Sequence, residues 1–343
     1  MSKSKSGPGR LKRIVHSFPR VTIVVIGDLV ADEFVYGETS RISREAAVLI
    51  LKHRSRTIVP GGGANAVNNL ADLGVTVLPV GVVGDDDAGR QLLKIFRRKK
   101  IPLSGIRKDK RYPTVTKTRI LAGTAHGPRQ QVVRVDREPE QAFDSLCARE
   151  IVLSALEYAR VADAILISDY GYGAATPAIV NSVREKKQAR KLPLILDSRY
   201  RMLEYTGITA ATPNEAEVEE ALGSRLGDDW ERVCTAGEQV RSRMKLDSLL
   251  ITRGRDGMVA FSKSHRPVEI PIYGTDEIAD VTGAGDTVIA TFTAALAAGA
   301  NSEEAAHLAN YAGGIVVMKR GTATVSGEEL LRAIDASPVV IRS

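Results

Sequence analysis

The stretch Asp280-Val281-Thr282-Gly283-Ala284-Gly285-Asp286-Thr287 combines residue types that could do chemistry. Its two glycines let the backbone approach a ligand closely. The apolar run that follows, to Leu296, has the spacing of an amphipathic helix. The first N–H groups of that helix turn back on the Gly-Ala-Gly segment, which makes the terminus an anion site. Asp286 sits in its first turn. A carboxylate there repels a bound phosphate, but it gains a purpose if it takes a proton from a hydroxyl that attacks phosphorus. The plainer role is an acid that stabilises the helix N-terminus.

Two further groups stand beside it. Gly27-Asp28 follows a short apolar run, Asp32 lies four residues on, and Gly61-Gly62-Gly63-Ala64-Asn65 opens a helix. Strand ends facing a helix N-terminus are where α/β folds bind ligands. Carboxylates and an amide there suit a ligand rich in hydroxyls, and the same residues also suit a loop Asp and a capping Asn. In Thr212-Pro213-Asn214-Glu215-Ala216-Glu217, Asn214 and Glu217 share one helix face. They suit hydrated Mg²⁺, which takes few protein ligands, and equally an N-terminal capping box. The chain has no Gly-Lys dipeptide and no Gly-x-Gly-x-x-Gly, so the Walker A and dinucleotide fingerprints are absent.

The elements that must position these residues are mostly alternating. Val21 to Ile26 is a short β-branched run that reads as a buried strand. Helices are expected over Ala64 to Leu73 and Asp87 to Lys99, and strands over Val77 to Val83, Ala164 to Ser168, Pro193 to Asp197, Leu249 to Thr252 and Met258 to Ser262. Such alternation implies an α/β fold with a mainly parallel sheet covered by helices on both faces. Residues 31–60 and 113–136 instead alternate polar and β-branched residues. They are expected to form a small β-sheet appended to the body.

Of the net charge of +7, Lys3, Lys5, Arg10, Lys12, Arg13 and Arg20 lie in a stretch without acids, and the remaining chain is close to neutral. Residues 1–20 therefore read as a solvated, disordered basic leader, and binding to nucleic acid is not expected. Arg97-Arg98-Lys99-Lys100 reads as a helix C-terminus matched to the helix dipole. The two cysteines, Cys147 and Cys234, suggest no disulfide framework, which fits a reducing compartment. No apolar run approaches a membrane span, and the basic N-terminus lacks the apolar stretch of a secretory signal, so the cytoplasm is the expected location.

Together these residues resemble the PfkB (ribokinase-like) family of carbohydrate kinases, from about residue 21 to residue 335. Asp280 to Asp286 looks like the family's C-terminal signature and Gly62-Gly63-Ala64-Asn65 like its N-terminal one, and Thr252-Arg253-Gly254 with Gly257 resembles its nucleotide-side turn. Within the family the likeness is to the D-glycero-β-D-manno-heptose 7-phosphate kinases. It is carried by Tyr36 to Ser43 with Glu45-Ala46, Thr116-Lys117-Thr118-Arg119, Gln130 to Asp136 and Gly321 to Ser326. Those kinases typically carry a Lys where this chain has Tyr172, prolines within the segment written here Ser43 to Leu49, and Asp-Pro-Lys in place of Asp197-Ser198-Arg199.

The resemblance implies a ribokinase-like domain over 21–335 with a β-lid, followed by a tail over 336–343. It implies ATP and Mg²⁺ as cofactors, a sugar phosphate as substrate and a homodimer joined through the lid. Asp286 would be the catalytic base, and Gly283, Ala284 and Gly285 the anion hole. Asn214, Glu217, Thr252, Gly254, Gly257 and Asn310 would serve the nucleotide, with Glu217 holding Mg²⁺ through water. Asp28, Asp32, Gly62, Gly63, Asn65 and Asp136 would face the sugar, and Lys117, Arg119 and Arg134 a phosphate already on it. Asp280 and Thr282 match positions that hold a monovalent cation such as K⁺ in some relatives. The competing readings are a kinase for ribose, fructose 6-phosphate or a nucleoside, and a sugar- and nucleotide-binding regulator without catalysis.

Overall fold

Alternate residues of the first strand feed two separate cores, and this organises the body of the protein. The computed structural model describes residues 7–123, 129–141, 144–186, 192–263, 265–274, 280–319 and 321–339. In chain order the elements are α1 (Pro8–Ser17), β1 (Thr22–Gly27), β2 (Leu29–Ile42), β3 (Leu49–Gly62), α2 (Gly63–Asp72), β4 (Thr76–Gly84), α3 (Asp87–Arg98), β5 (Ile106–Asp109), β6 (Thr116–Gly123) and β7 (Gln130–Arg137). Then come α4 (Ser145–Tyr158), β8 (Ala164–Asp169), α5 (Pro177–Lys186), β9 (Leu194–Ser198), β10 (Ala210–Ala211), α6 (Glu215–Leu222), α7 (Trp230–Met244), β11 (Ser248–Thr252), β12 (Met258–Ser262), β13 (Val268–Ile270), α8 (Ala284–Ala297), α9 (Ser302–Val317) and α10 (Gly327–Ala336).

The large sheet runs β13-β12-β11-β10-β9-β8-β1-β4-β5. It is parallel from β11 to β5, and β12 and β13 are added antiparallel at one edge. On β1, Ile23 and Val25 face a core shared with α1, α2, α3, α8, α9 and α10. Val24 and Ile26 face the other core, with α4, α5, α6 and α7. Burial on both faces is why this strand reads as a continuous apolar run.

The two stretches that broke the α/β alternation form one separate sheet in the order β3-β2-β6-β7. Asp32 of β2 lies beside Lys117 of β6, and Lys117 lies opposite Asp136 of β7. Phe34, Arg119 and Arg134 form the next row of the same face. The period of two along each strand thus gathers the charged candidates on one side.

The basic leader is corrected by the structure. Residues 8–17 are the helix α1, with Pro8 in its first turn. Leu11, Ile14, Val15 and Phe18 are buried, at spacings that make one apolar stripe. Arg10 pairs with Glu304 at 3.5 Å and donates to the Gly299 carbonyl at 2.8 Å, while Lys12 pairs with Asp335. Burial of the stripe against α10 and α9 outweighs the concentration of positive charge, which finds carboxylate partners. Lys3 and Lys5 lie outside the described residues, as do residues 340–343 of the expected C-terminal tail. Arg97 and Arg98 do end α3, and Lys99 pairs with Asp72 at 2.6 Å. Among the described residues no helix is long and apolar enough to cross a membrane.

Candidate active site

Gly283 caps α8 with φ +79°, a conformation that costs glycine little. A Cβ at this position would also come within 2.5 Å of the Asn65 amide nitrogen. Among the described residues no side chain caps this helix; the Ala284 N–H donates to the Val281 carbonyl at 3.2 Å, and the Gly285 and Asp286 N–H groups are left open to an anion. A Cβ on Gly285 would meet no protein atom within 4 Å. Packing therefore does not demand glycine there, and what its absence of side chain clears is space beside the helix end. Asp280 Oδ1 accepts from the Thr282 N–H at 2.9 Å, which shapes the turn that leads in.

Asp286 is buried, 4% exposed. Its Oδ2 accepts from Asn65 Nδ2 at 2.9 Å and its Oδ1 from the Tyr170 hydroxyl at 2.7 Å. Burial pushes its carboxyl up to about 7, with Asp197 and Asp32 adding to the rise and the two hydrogen bonds opposing it. Asn65 is itself oriented. Asn69 donates to Asn65 Oδ1 at 3.1 Å, and the Thr287 hydroxyl donates to Asn69 Oδ1 at 2.9 Å. This chain of amides leaves the Asn65 NH₂ group directed at Asp286.

Asp286, Gly283 and Gly285 lie on the wall of a cavity of about 490 Å³ that also reaches Asn214, Glu217, Thr252, Asp197 and Arg199. Asn214 and Glu217 form the capping box of α6, with reciprocal bonds of 2.9 Å. They also line the cavity, so the structural role and access to a ligand coexist. Burial and the Glu217 charge push the Asp197 carboxyl up. Burial likewise pushes Glu217 up, against its bonds to Asn214 and the charge of Arg199.

The structure does not bring every candidate to this cavity. Gly257, Gly254 and Asn310 do not line it. Gly257, at φ +77°, leaves no room for a Cβ beside the Ile270 carbonyl, and Asn310 donates to the Pro271 carbonyl at 2.9 Å. Asp28 is buried, and its oxygens accept the N–H groups of Tyr170 at 2.8 Å, Tyr172 at 3.0 Å and Ala174 at 2.8 Å. It holds the 170–174 turn, and burial pushes its carboxyl up to about 6. Gly61, Gly62 and Gly63 permit close approach. A Cβ on Gly61 would strike Asp32, one on Gly62 would crowd Val30 and the Tyr170 ring, and one on Gly63 would strike the Asp28 carbonyl.

On the small sheet, Arg119 pairs with the buried Asp32 at 2.6 Å, and Arg134 pairs with Asp136 at 2.9 Å. Lys117 has no carboxylate partner within 4.0 Å among the described residues. Its ammonium lies 5.5 Å from the Tyr170 ring centre and 6.0 Å from that of Tyr172. Burial, and then the charge of Arg199, push it below the ordinary lysine value.

The model of the pfkB family carbohydrate kinases matches residues 21–329. This chain belongs to the pfkB family of carbohydrate kinases. It is 38% identical over 325 residues to the bifunctional protein HldE of Pelobacter propionicus, covering 94% of this chain and 65% of that protein. It is 39% identical over 312 residues to HldE of Geobacter metallireducens, covering 91% and 62%. The chain thus spans just under two thirds of the length of these relatives. Its fold is shared with Arabidopsis thaliana ribokinase complexed with ribose and ATP, at 20% identity and TM-score 0.71, covering 92% of this chain and 99% of that one. It is also shared with Escherichia coli phosphofructokinase-2, at 18% identity and TM-score 0.73, with the same coverage.

In this pfkB kinase, sequence reading missed Tyr170, Asp197, Arg199, Asn69 and Thr287. Tyr170 reaches Asp286 across 116 positions of chain, a separation no local pattern reports. Thr287 lies next to Asp286, and Asn69 is one helical turn beyond Asn65. Their spacing was visible, but their connection was not.

Proposed function

We propose that this kinase transfers the γ-phosphoryl group of ATP to O1 of D-glycero-β-D-manno-heptose 7-phosphate. The observation that carries the kinase chemistry is the buried Asp286 carboxylate at the uncapped N-terminus of α8, on the wall of the cavity that reaches Asn214, Glu217 and Thr252. Asp286 takes the proton of the attacking hydroxyl. The new O–P bond forms as the bond from the γ-phosphorus to its bridging oxygen breaks, and ADP leaves. A carboxyl near 7 is a stronger base than an ordinary carboxylate and is increasingly ionised as pH rises above neutral. The open N–H groups of Gly283, Gly285 and Asp286 receive the charge of the transferring group, while that of Ala284 is held by the Val281 carbonyl. The small sheet acts as a lid that excludes water and spares ATP from hydrolysis.

Asp197 and Glu217 form a donor set that fits hydrated Mg²⁺, because each is an under-compensated carboxylate facing phosphate-sized space. Glu217 would hold the ion through water. When bound, Mg²⁺ neutralises phosphate oxygens. K⁺ at Asp280 and Thr282 rests on the resemblance. For the sugar phosphate, Lys117 is the strongest of the three candidate cations, since Arg119 and Arg134 already hold carboxylates. The heptose itself rests on the sequence strings given above.

The test is ADP release against a panel of sugars and sugar phosphates, with and without K⁺. Release only with the heptose 7-phosphate supports the full reading. Release with ribose, fructose 6-phosphate or a nucleoside keeps the chemistry and moves the substrate. No release with any sugar, despite ATP binding, favours a regulator. Asp286→Asn is expected to bind ATP but lose about 10²- to 10⁴-fold in turnover. Near-normal turnover would remove Asp286 from the base role.

A further inference from the structure

We propose that Tyr170 is a positioning residue for the base: its hydroxyl and the Asn65 amide each hold one oxygen of Asp286, fixing the plane of the carboxylate at the cavity wall. The inference rests on Asp286 as the base. Each carboxylate oxygen has two acceptor directions. With one direction on each oxygen taken by a fixed donor, the carboxylate cannot rotate, and a remaining lone pair is left for the attacking hydroxyl.

The seat of Tyr170 is built by Asp28, Gly62 and Lys117. The buried Asp28 accepts the Tyr170 backbone N–H at 2.8 Å and the N–H groups of Tyr172 and Ala174, so the turn cannot shift along the chain. Gly62, at φ +51°, clears the ring, since a Cβ there would approach Tyr170 Cε2 to 3.2 Å. The Lys117 ammonium lies over the ring at 5.5 Å, an attraction of cation to π face. Three residues from the front half of the chain thus seat one tyrosine, and its hydroxyl bonds the base.

A hydrogen bond donated to the ionised form of a carboxylate favours that form. The charged and titratable groups around Asp286 are Asp197 on β9, Asp32 on β2, Tyr170 after β8, with Glu217 on α6 and Lys117 on β6 acting on the tyrosine. The carboxylates all oppose ionisation of Asp286, and burial opposes it most. Burial and the Asp286 charge hold the Tyr170 hydroxyl well above its ordinary value, so it stays a donor throughout the working range. The base must be ionised to act, so turnover falls on the acid side as pH drops through its pKa. Removing the donor raises that pKa.

The experiment is the pH profile of kcat/KM for the best sugar of the panel, at saturating Mg·ATP, for wild type, Tyr170→Phe and Asp286→Asn. Tyr170→Phe is expected to move the acidic limb up by about one pH unit. Its activity should fall about tenfold on the limb and no more than about threefold on the alkaline plateau. Placing 3-fluorotyrosine at position 170 alone keeps the ring and strengthens the donor, so the limb should move down. This second variant decides the matter if Tyr170→Phe does not fold. A loss that is uniform across pH in Tyr170→Phe, or a limb that neither variant moves, overturns the proposal while Asp286→Asn remains dead. If Asp286→Asn keeps its turnover, the base reading falls and this proposal falls with it.

Discussion

Lys117 is a lysine whose charge is poorly compensated. It lies between two tyrosine rings, next to Arg199, with its ammonium pushed toward the neutral form. An anion placed there gains a strong, charge-assisted hydrogen bond. Lys117→Ala is therefore expected to raise KM for a sugar phosphate about ten- to hundredfold, the worth of one hydrogen bond to a charged group. It should leave KM for ATP nearly unchanged. Steady-state kinetics with a sugar and its phosphate checks this, because the unphosphorylated sugar should show no such rise. At this scale the sequence was informative where chemistry is concentrated in a short string. Asp286 with Gly283, and Asn65 with Gly61 to Gly63, were legible because local geometry demands glycine at those positions. Asp28 was expected to face the sugar. An acid after a strand looks ligand-directed, but here its acceptors are consumed by N–H groups 142 to 146 positions away. Nothing near Asp28 in the chain announces that.

α1 shows how one signal can mask another. Its apolar residues recur at Leu11, Ile14, Val15 and Phe18, the spacing of a helix face, yet six basic residues in the same stretch suggested a solvated leader. The helix packs against α10 and fills part of the core that also contains α8. Leu11 is 0% exposed, so Leu11→Ala should cost about 2–5 kcal/mol and lower the midpoint of thermal unfolding measurably by circular dichroism. A solvated leader would give no change. The α/β alternation elsewhere was legible because each strand is short, apolar and bounded. β10, with two residues, and β13, with three, were not, because elements so short carry no period. The capping box of α6 was legible as a spacing, and its position on the cavity was not, because that depends on where β9 and β11 place the helix.

At the scale of the whole molecule the unresolved demand is the small sheet, which has one face on the site and, among the described residues, an edge without a covering strand. β7 is exposed along its full length and forms that edge. Val133 is 46% exposed and Val135 54%, both on the face away from Lys117. Ile42, Val48 and Leu49 add exposed apolar surface at the far end of the sheet. An unprotected edge strand with β-branched apolar residues is a template for pairing, and an apolar patch of this kind marks an interface. We propose that a second copy of the chain covers it, giving a two-fold dimer through the lids. The dimer would also stiffen β6 and β7, the strands that carry Lys117, Arg119 and Arg134, so assembly and sugar affinity should be linked. Sedimentation of the wild type should give twice the mass of the chain. Placing charge on the patch with Val133→Asp and Val135→Asp should give the monomer, with a raised KM for the sugar phosphate and little change in KM for ATP. A wild-type monomer, or a double variant that still sediments as a dimer, would place the contact elsewhere and leave the lid's exposed valines without a partner.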